Sequence, residues 1–466
     1  MGKRKVRELE GVAIEKVADK GYGIGYRDGK VVFVERAVPG DVVDVRLYKN
    51  KAKFAMGYPT RFAGYSPDRV EPFCAHFGTC GGCHWQNLPY ERQLAAKTQL
   101  VTDAMERIAK LQGVSVRPAI GADPTVAYRN KLEFTFANQR WLTPADLAAG
   151  AERDVDTLGY HVPRFFDKIL HVDRCHLQPE PSNAIRDRLR DEAVRRGLSF
   201  YDHRTREGLL RNVIIRNNRR GEFLVILVAS ADTAEARALL DDLAAAVPEV
   251  VSTWLVANDK PNSSIADLEA RHHGGLEALE ETLGRVRYRV GPKSFFQTNP
   301  HQAETLAALA REGAGLRPED TVYDLYTGLG SLALYVADAC ARVVGIEWIE
   351  EAVADARANA ALNGIGNAAF HAGDMAKLLT GEFIDAHGRP DVLITDPPRA
   401  GMHDKVNRRI VESGARTVVY VSCNPATQAR DLEQLGEAYA VESLQPVDMF
   451  PHTYHIENVA VLRRRD

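Results

Sequence analysis

The chain has no run of about 18 apolar residues, which excludes a transmembrane helix. No apolar stretch follows its basic start, Met1-Gly-Lys-Arg-Lys-Val-Arg-Glu8. It therefore reads as a cytoplasmic protein without a secretory leader. No internal repeat or low-complexity tract stands out. With 45% hydrophobic and 26% charged residues, a disordered chain, a collagen or a simple fibre is excluded. Cysteine is scarce, six in 466 residues, and in a cytoplasmic setting these do not read as disulfides. At roughly 150 residues per domain, this length predicts about three domains.

Charge is unevenly spread. Residues 1–62 carry 14 basic and 8 acidic side chains, a net of +6, on a chain whose net charge is −3. A basic module on an acidic body suits a polyanion, although a solvated surface patch explains the same imbalance. Residues 9–57 read as five short strands broken by Asp19-Lys-Gly, Arg27-Asp-Gly-Lys and Val38-Pro-Gly-Asp. That pattern predicts an OB-like barrel, with Pro59 to Pro72 as a linker. Tyr90–Gln112 has helical spacing, and residues 114–290 mix strands with helices. Trp141–Thr157 reads as a polar excursion. From about residue 295, strands alternate with helices: Asn299-Pro300 opens a helix, then come Thr321–Leu325, Ser331–Ala339, Arg342–Ile346, Glu350–Leu362, Val392–Thr395 and Thr417–Val421. This predicts a doubly wound, mostly parallel α/β sheet. The expected domains are 1–62, 63–292 and 293–466, with the helix from Tyr90 packing on the last.

Three thiols crowd into Cys74-x5-Cys80-Gly-Gly-Cys83, and a fourth, Cys175, lies in the polar stretch from His171 to His176. Four thiolates can hold an iron–sulfur cluster with one distant ligand. They can hold zinc, although zinc sites usually come as two close pairs. As buried free thiols they leave three cysteines in ten residues unexplained. The spacing also departs from that of radical enzymes, which place three and two residues between their cysteines. Cys340 ends an apolar helix and reads as packing.

Strand Thr321–Leu325 runs into Thr327-Gly-Leu-Gly-Ser331. The glycines allow a tight turn close to a ligand, and Glu347, 19 residues after Gly328, can accept from both hydroxyls of a ribose. Alone, the pattern also satisfies a dinucleotide fingerprint. Asp324, near a cofactor's amino-acid end, Asp374, within reach of an adenine, and Asp396-Pro-Pro-Arg at a strand end favour S-adenosylmethionine over NAD. Strand Thr417–Val421 then leads to Ser422-Cys423-Asn424-Pro425, placing Cys423 at the ligand-binding edge of an open sheet. Pro446 to Glu457 holds two histidines and a glutamate before a last strand, Val459–Leu462. Spacing leaves that set open as a zinc site, a general base or a hydrogen-bonded turn.

Together these segments resemble the S-adenosylmethionine-dependent RNA 5-methyluridine methyltransferases, in particular the iron–sulfur branch acting on 23S ribosomal RNA. The carrying motifs are Cys74-x5-Cys80-Gly-Gly-Cys83-x-x-Gln86, Phe296-Gln297-x-Asn299 and Asp324-Leu-Tyr-x-Gly-x-Gly. They continue with Asp396-Pro-Pro-Arg399-x-Gly401, Ser422-Cys423-Asn424-Pro425-x-Thr427-x-x-Arg430-Asp431 and Pro446 through Glu457. The N-terminal barrel resembles the family's RNA-binding TRAM module. Thr327 departs from the family, which often has Cys there, and little consequence is expected. The resemblance implies that Cys74, Cys80, Cys83 and Cys175 ligate a [4Fe–4S] cluster. It further implies that Gln297, Tyr326, Ser331, Glu347, Asp374 and Asp396 line the cofactor site, that Cys423 is the nucleophile and Glu457 the general base.

The chemistry needs such groups. Uracil C5 is a weak nucleophile until a soft thiolate adds at C6, and a base must afterwards take the C5 proton. Arg399 or Arg430 can supply positive charge to the thiol, although Arg430 reads better as a surface salt bridge. Phe295 and Phe296 read either as stacking platforms for displaced bases or as core. The cluster is expected to fold the central region and shape the RNA surface. Transfer RNA is the alternative substrate. A non-catalytic RNA-binding or redox-responsive protein is the alternative of another class. A monomer is expected.

Overall fold

In a computed structural model, the described residues run from Arg7 to Asp466, so the basic Lys3-Arg4-Lys5 lies outside them. The chain forms two compact units. The first takes the described residues up to Asp123, with Pro397–Arg408 and Tyr420–Asp466. The second takes Pro124–Asp396 and Arg409–Val419. Among the described residues no helix is long and apolar enough to cross a membrane.

The first unit begins with β1 (Arg7–Val17), β2 (Gly23–Arg27), β3 (Lys30–Val34), β4 (Val42–Asn50) and β5 (Phe54–Gly64). They close into a barrel in the order β1-β2-β3-β5-β4. Alternation sends Val12, Ile14, Val32, Val34, Val43 and Val45 inward as its core. The expected linker from Pro59 is corrected here, because β5 continues to Gly64. Pro59 faces Val45 beside a shift of register, a place where a strand tolerates a missing N–H. Next comes α1 (Tyr90–Arg107), which ends short of Gln112. Lys110, in a left-handed conformation at φ 55°, stops any continuation.

The second unit holds β6 (Lys131–Ala137), α2 (Pro144–Ala148), β7 (Thr157–His161), β8 (Ile169–His171), α3 (Ser182–Arg195), β9 (Leu210–Asn217), β10 (Phe223–Ala229), α4 (Ala234–Ala246), β11 (Val250–Ala257) and β12 (Arg271–Gly275). The sheet order is β12-β11-β10-β9-β6-β7-β8. β10 and the middle of β9 are apolar on both faces because both are covered: Phe134, Val213, Val225 and Leu239 pack on one side, Ile214, Leu224 and Ile226 on the other. The Trp141–Thr157 excursion contains only α2, which Thr143 and Asp146 close with a reciprocal capping box. A hairpin of β13 (Leu279–Leu283) and β14 (Val286–Val290) follows.

Then the pattern alternates as expected: α5 (Pro300–Ala314), β15 (Thr321–Leu325), α6 (Ser331–Val336), β16 (Arg342–Glu347), α7 (Glu350–Leu362), β17 (Ala368–Ala372), α8 (Met375–Leu378), α9 (Gly381–His387), β18 (Val392–Thr395), α10 (Asp404–Ser413) and β19 (Thr417–Ser422). β15 pairs in parallel with β16 and β18, and β16 with β17; the order is β17-β16-β15-β18-β19. The Asn299 side chain caps α5 by accepting from Gln302 N, and Gly315 at φ 55° ends it.

The remaining elements return to the first unit: α11 (Pro425–Leu435), β20 (Tyr439–Val447) and β21 (Glu457–Arg464). β21 lies between β19 and β20, antiparallel to β20. There α1 packs along α11 and reaches β20.

Candidate active site

In the second unit, β15 delivers Asp324 to the start of the glycine turn. Tyr326 at φ 63°, Gly328 at φ 55° and Gly330 at φ 86° reverse the backbone in the left-handed region. A β-carbon at Gly330 would press on Leu334 and Phe370 at 3.2–3.3 Å, whereas Gly328 faces open space. The loop is fixed from beneath. The buried Asp324 Oδ2 accepts from Thr327 Oγ1 at 2.5 Å and from Ala333 N at 3.1 Å. The Thr327 hydroxyl therefore anchors the carboxylate under the turn.

Glu347 ends β16 beside that turn. Its Oε2 accepts from Gly328 N at 3.1 Å, and Oε1 from Trp348 N at 2.8 Å and Ile349 N at 3.1 Å. Ser331 opens α6, where its carbonyl accepts from Tyr288. Asp374 caps α8 through Ala376 N. Asp396 follows β18 and accepts from Gln297 Nε2 at 3.4 Å; Asn130 holds the Gln297 carbonyl at 3.0 Å. Loss of water pushes Asp324 up to about 7, opposed by its two hydrogen bonds and aided by the charges of Asp396 and Glu347. Burial likewise pushes Asp396 up to about 7, with the Gln297 amide pulling the other way. These carboxylates are concentrated at the C-terminal edge of a parallel sheet, where such folds bind ligands.

In the first unit, Cys423 follows β19 directly and precedes α11. Asn424 caps that helix through Ala426 N, and Pro425 is its first residue. The half-buried thiol thus lies at the positive end of an 11-residue helix. The Arg399 carbonyl accepts from Asn424 Nδ2 at 2.9 Å and Thr427 Oγ1 at 3.2 Å, and its guanidinium bonds His455 Nδ1. Glu457 opens β21, 4% exposed. The segment before it is a hydrogen-bonded turn: Thr453 Oγ1 donates to Phe450 O, and His455 N to Thr453 Oγ1.

A family profile described as tRNA (Uracil-5-)-methyltransferase matches residues 276–465, and the TRAM domain profile matches residues 3–59. A Bacteroides thetaiotaomicron protein, described as an uncharacterized RNA methyltransferase, is 46% identical over 98% of this chain and 99% of its own. A Porphyromonas gingivalis protein of the same description is 47% identical over 97% and 99%. The chain belongs to the RNA (uracil-5-)-methyltransferase family. The Pyrococcus abyssi tRNA (uracil-54, C5)-methyltransferase, solved with S-adenosyl-L-homocysteine, is similar in fold at a TM-score of 0.75 and 27% identity, covering 97% of this chain and 100% of that one. This protein is thus an RNA methyltransferase, with a TRAM barrel N-terminal in sequence to a methyltransferase α/β fold.

In this methyltransferase Arg430 is structural. It pairs with the buried Asp431 at 2.7 Å and donates to the Ala400 and Met402 carbonyls. Asp431 also accepts from Tyr420 Oη and Met402 N. A β-carbon at Gly401 would lie 2.6 Å from Arg430 and 2.7 Å from Asp431, which explains the glycine. We expect Asp431→Asn to lower stability by about 1–3 kcal/mol, measured by urea denaturation. Cys340 is buried against the Val336 carbonyl, its thiol pushed up to about 11, and serves packing.

The expected [4Fe–4S] centre gains no support from the arrangement. Among the described residues no three His, Cys, Asp or Glu side chains are set to hold a metal ion. Cys74, Cys80, Cys83 and Cys175 are half-buried and form no disulfide, and Cys175 Sγ accepts from Tyr160 Oη at 3.7 Å. Phe296 is core, 5% exposed against Tyr288, whereas Phe295 is 68% exposed. Sequence reasoning missed Trp348 and Ile349, exposed by 62% and 54% immediately after Glu347. Their signal was two large apolar residues following a strand-ending acid.

Proposed function

We propose that the protein transfers a methyl group from S-adenosyl-L-methionine to C5 of a uridine in RNA, with 23S ribosomal RNA as the substrate. The observation that carries this reading is the turn at Gly328, with the Glu347 carboxylate on one flank and Asp324 beneath. S-adenosyl-L-methionine supplies a methyl group on a sulfonium. Glu347 accepts from the ribose hydroxyls, Trp348 and Ile349 offer the adenine an apolar wall, and Asp374 reaches its amino edge. Asp324, Asp396 and Gln297 meet the amino-acid end, with Tyr326 and Ser331 completing the lining.

Cys423 Sγ adds to uracil C6, and the displaced π pair makes C5 carbanionic. C5 then takes the methyl group as the S–CH3 bond breaks. Glu457 removes the C5 proton, the C5=C6 bond re-forms and the C6–S bond opens. The α11 N-terminus favours negative charge on the thiol. The target base must leave its stack to be reached, and the TRAM barrel suits the flanking phosphates. The domains read as 1–62 for RNA, 63–292 as the central region and 293–466 for catalysis.

The test is methyl-labelled cofactor with purified 23S ribosomal RNA and transfer RNA, followed by nucleoside mass spectrometry. Label appearing as 5-methyluridine in ribosomal RNA is expected. Label in transfer RNA alone would support the second reading, which the Pyrococcus relative favours. The four cysteines, Cys74, Cys80, Cys83 and Cys175, are proposed to ligate a [4Fe–4S] cluster; the support is the spacing of the first three and the donor chemistry of thiolates. Anaerobic protein is then expected to carry about four iron atoms per chain, and zinc in their place would reject the cluster.

Cofactor affinity should depend on pH. Asp324 and Asp396, both raised to about 7, are protonated below that pH and ionised above it. A cationic ligand prefers the ionised form, so affinity falls as the solution is acidified. The loss approaches about tenfold per pH unit per group. Calorimetry from pH 8 to 6 reads the slope, and Asp396→Asn should flatten it. Affinity that does not change across that range would remove both carboxylates from the cofactor site.

A further inference from the structure

Both ends of the three-cysteine segment close on one residue of the first unit. Ahead of Cys74, the Phe73 ring meets His452 edge-on, with centroids 5.0 Å apart. Behind Cys83, the backbone N–H groups of His84 and Trp85 both donate to the His452 carbonyl, at 2.8 and 3.0 Å. The His84 ring also lies 4.9 Å from that of Tyr454. From its other side His452 is held by Gln93 of α1: its N–H donates to Gln93 Oε1 at 2.9 Å, and Gln93 Nε2 lies 3.3 Å from its Nδ1. The same Gln93 amide donates to the Trp85 and Leu88 carbonyls. His452 is 7% exposed and has φ 65°, a strained conformation for a residue with a β-carbon, which persists because its surroundings over-determine it.

Five residues later comes Glu457. The start of the same turn is fixed by a buried ion pair, Lys97 Nζ to Asp448 Oδ1 at 2.5 Å. Lys97 also donates to the Phe450 carbonyl, and Tyr90 Oη to Asp448 Oδ2. The approach to Glu457 is therefore set by α1 and by the cysteine segment together, and not by its own strand alone.

We propose that His452 is a positioning residue through which the three-cysteine segment sets the Glu457 carboxylate, so that breaking the contacts of Phe73, His84 and Trp85 with His452 slows removal of the C5 proton and spares methyl transfer. The proposal rests on the roles given above to Cys423 and Glu457. A base displaced by about 1 Å loses on the order of a hundredfold in rate. Until the proton leaves, the thiol stays bonded to C6 of the methylated ring, and the protein–RNA adduct persists.

The experiment is a single turnover of the full-length protein with methyl-labelled cofactor and RNA, read as total methyl incorporation and as adduct stable to detergent. In His452→Ala and in Phe73→Leu, methyl incorporation should keep pace with the unaltered protein. Product release should slow about a hundredfold, with labelled adduct accumulating. His452→Asn, which tolerates the left-handed backbone, should recover part of the release rate. Phe73→Leu, which removes the ring that meets His452, carries the test if His452→Ala does not fold. Methyl transfer slowed as much as release, with no adduct, would overturn the proposal and leave the contact a matter of stability. If Glu457→Gln itself traps no adduct, the reading of the site falls, and the clamp with it.

Discussion

Replacing Cys423 with alanine is expected to abolish methyl transfer to uridine, a loss on the order of 10⁴-fold or more, as deletion of a nucleophile brings elsewhere. The reason is electronic. Without a bond at C6, the C5 carbon carries too little electron density to open a sulfonium, and no other group in the proposed reaction supplies that bond. The substitution removes one sulfur from a half-buried position between β19 and α11. Asn424, which caps the helix, and Thr427, which bonds the Arg399 carbonyl, stay in place. Fold and cofactor affinity should therefore survive, and calorimetry with S-adenosyl-L-methionine checks both. The serine variant separates nucleophilicity from shape: a hydroxyl fills the site but adds poorly to C6, so it should be nearly as inactive. Methylation persisting at even a tenth of the normal rate in Cys423→Ala would transfer the role to another group.

Much of the α/β region was legible because each of its signals is local. Asn299-Pro300 states a helix start in two residues. The apolar runs Thr321–Leu325 and Val392–Thr395 are strands because only a sheet covered on both faces accepts them. The glycine turn and Glu347 were readable for the same reason: the ligand-facing geometry is written within some 20 residues. What escaped depends on partners far along the chain. β20 alternates poorly and gains its identity from β21. Lys97 looks like a solvated helix lysine until Asp448, 351 residues away, is found beside it. His452 reads as a candidate ligand in a turn-rich stretch; that Gln93, Phe73, His84 and Trp85 all meet it could not be read from spacing. Thr327, beside the glycine turn, reads as a harmless departure until its hydroxyl is found on the buried Asp324 carboxylate. The cysteine segment is the converse case. Its spacing speaks strongly for a metal, yet among the described residues no such group is arranged.

Glu457→Gln is expected to separate two steps that Cys423→Ala removes together. Glutamine keeps the shape and the hydrogen-bonding capacity of a side chain that is 4% exposed at the head of β21, so the fold has little reason to change. What it cannot do is accept the C5 proton. Thiol addition and methyl transfer both precede that event and need no base at C5; they should proceed in a single turnover. Release should then slow by about 10²–10⁴-fold, the usual contribution of a positioned general base. The protein should stall with its thiol bonded to a ring already methylated. Denaturing gels with labelled RNA would show a band of protein plus RNA bearing the transferred methyl group, and mass spectrometry of the digested complex would place the bond on Cys423. An unmethylated adduct would instead mean that Glu457 acts before transfer, on the thiol or on the ring. Normal release would leave the carboxylate a buried structural group, with the proton passing to another base.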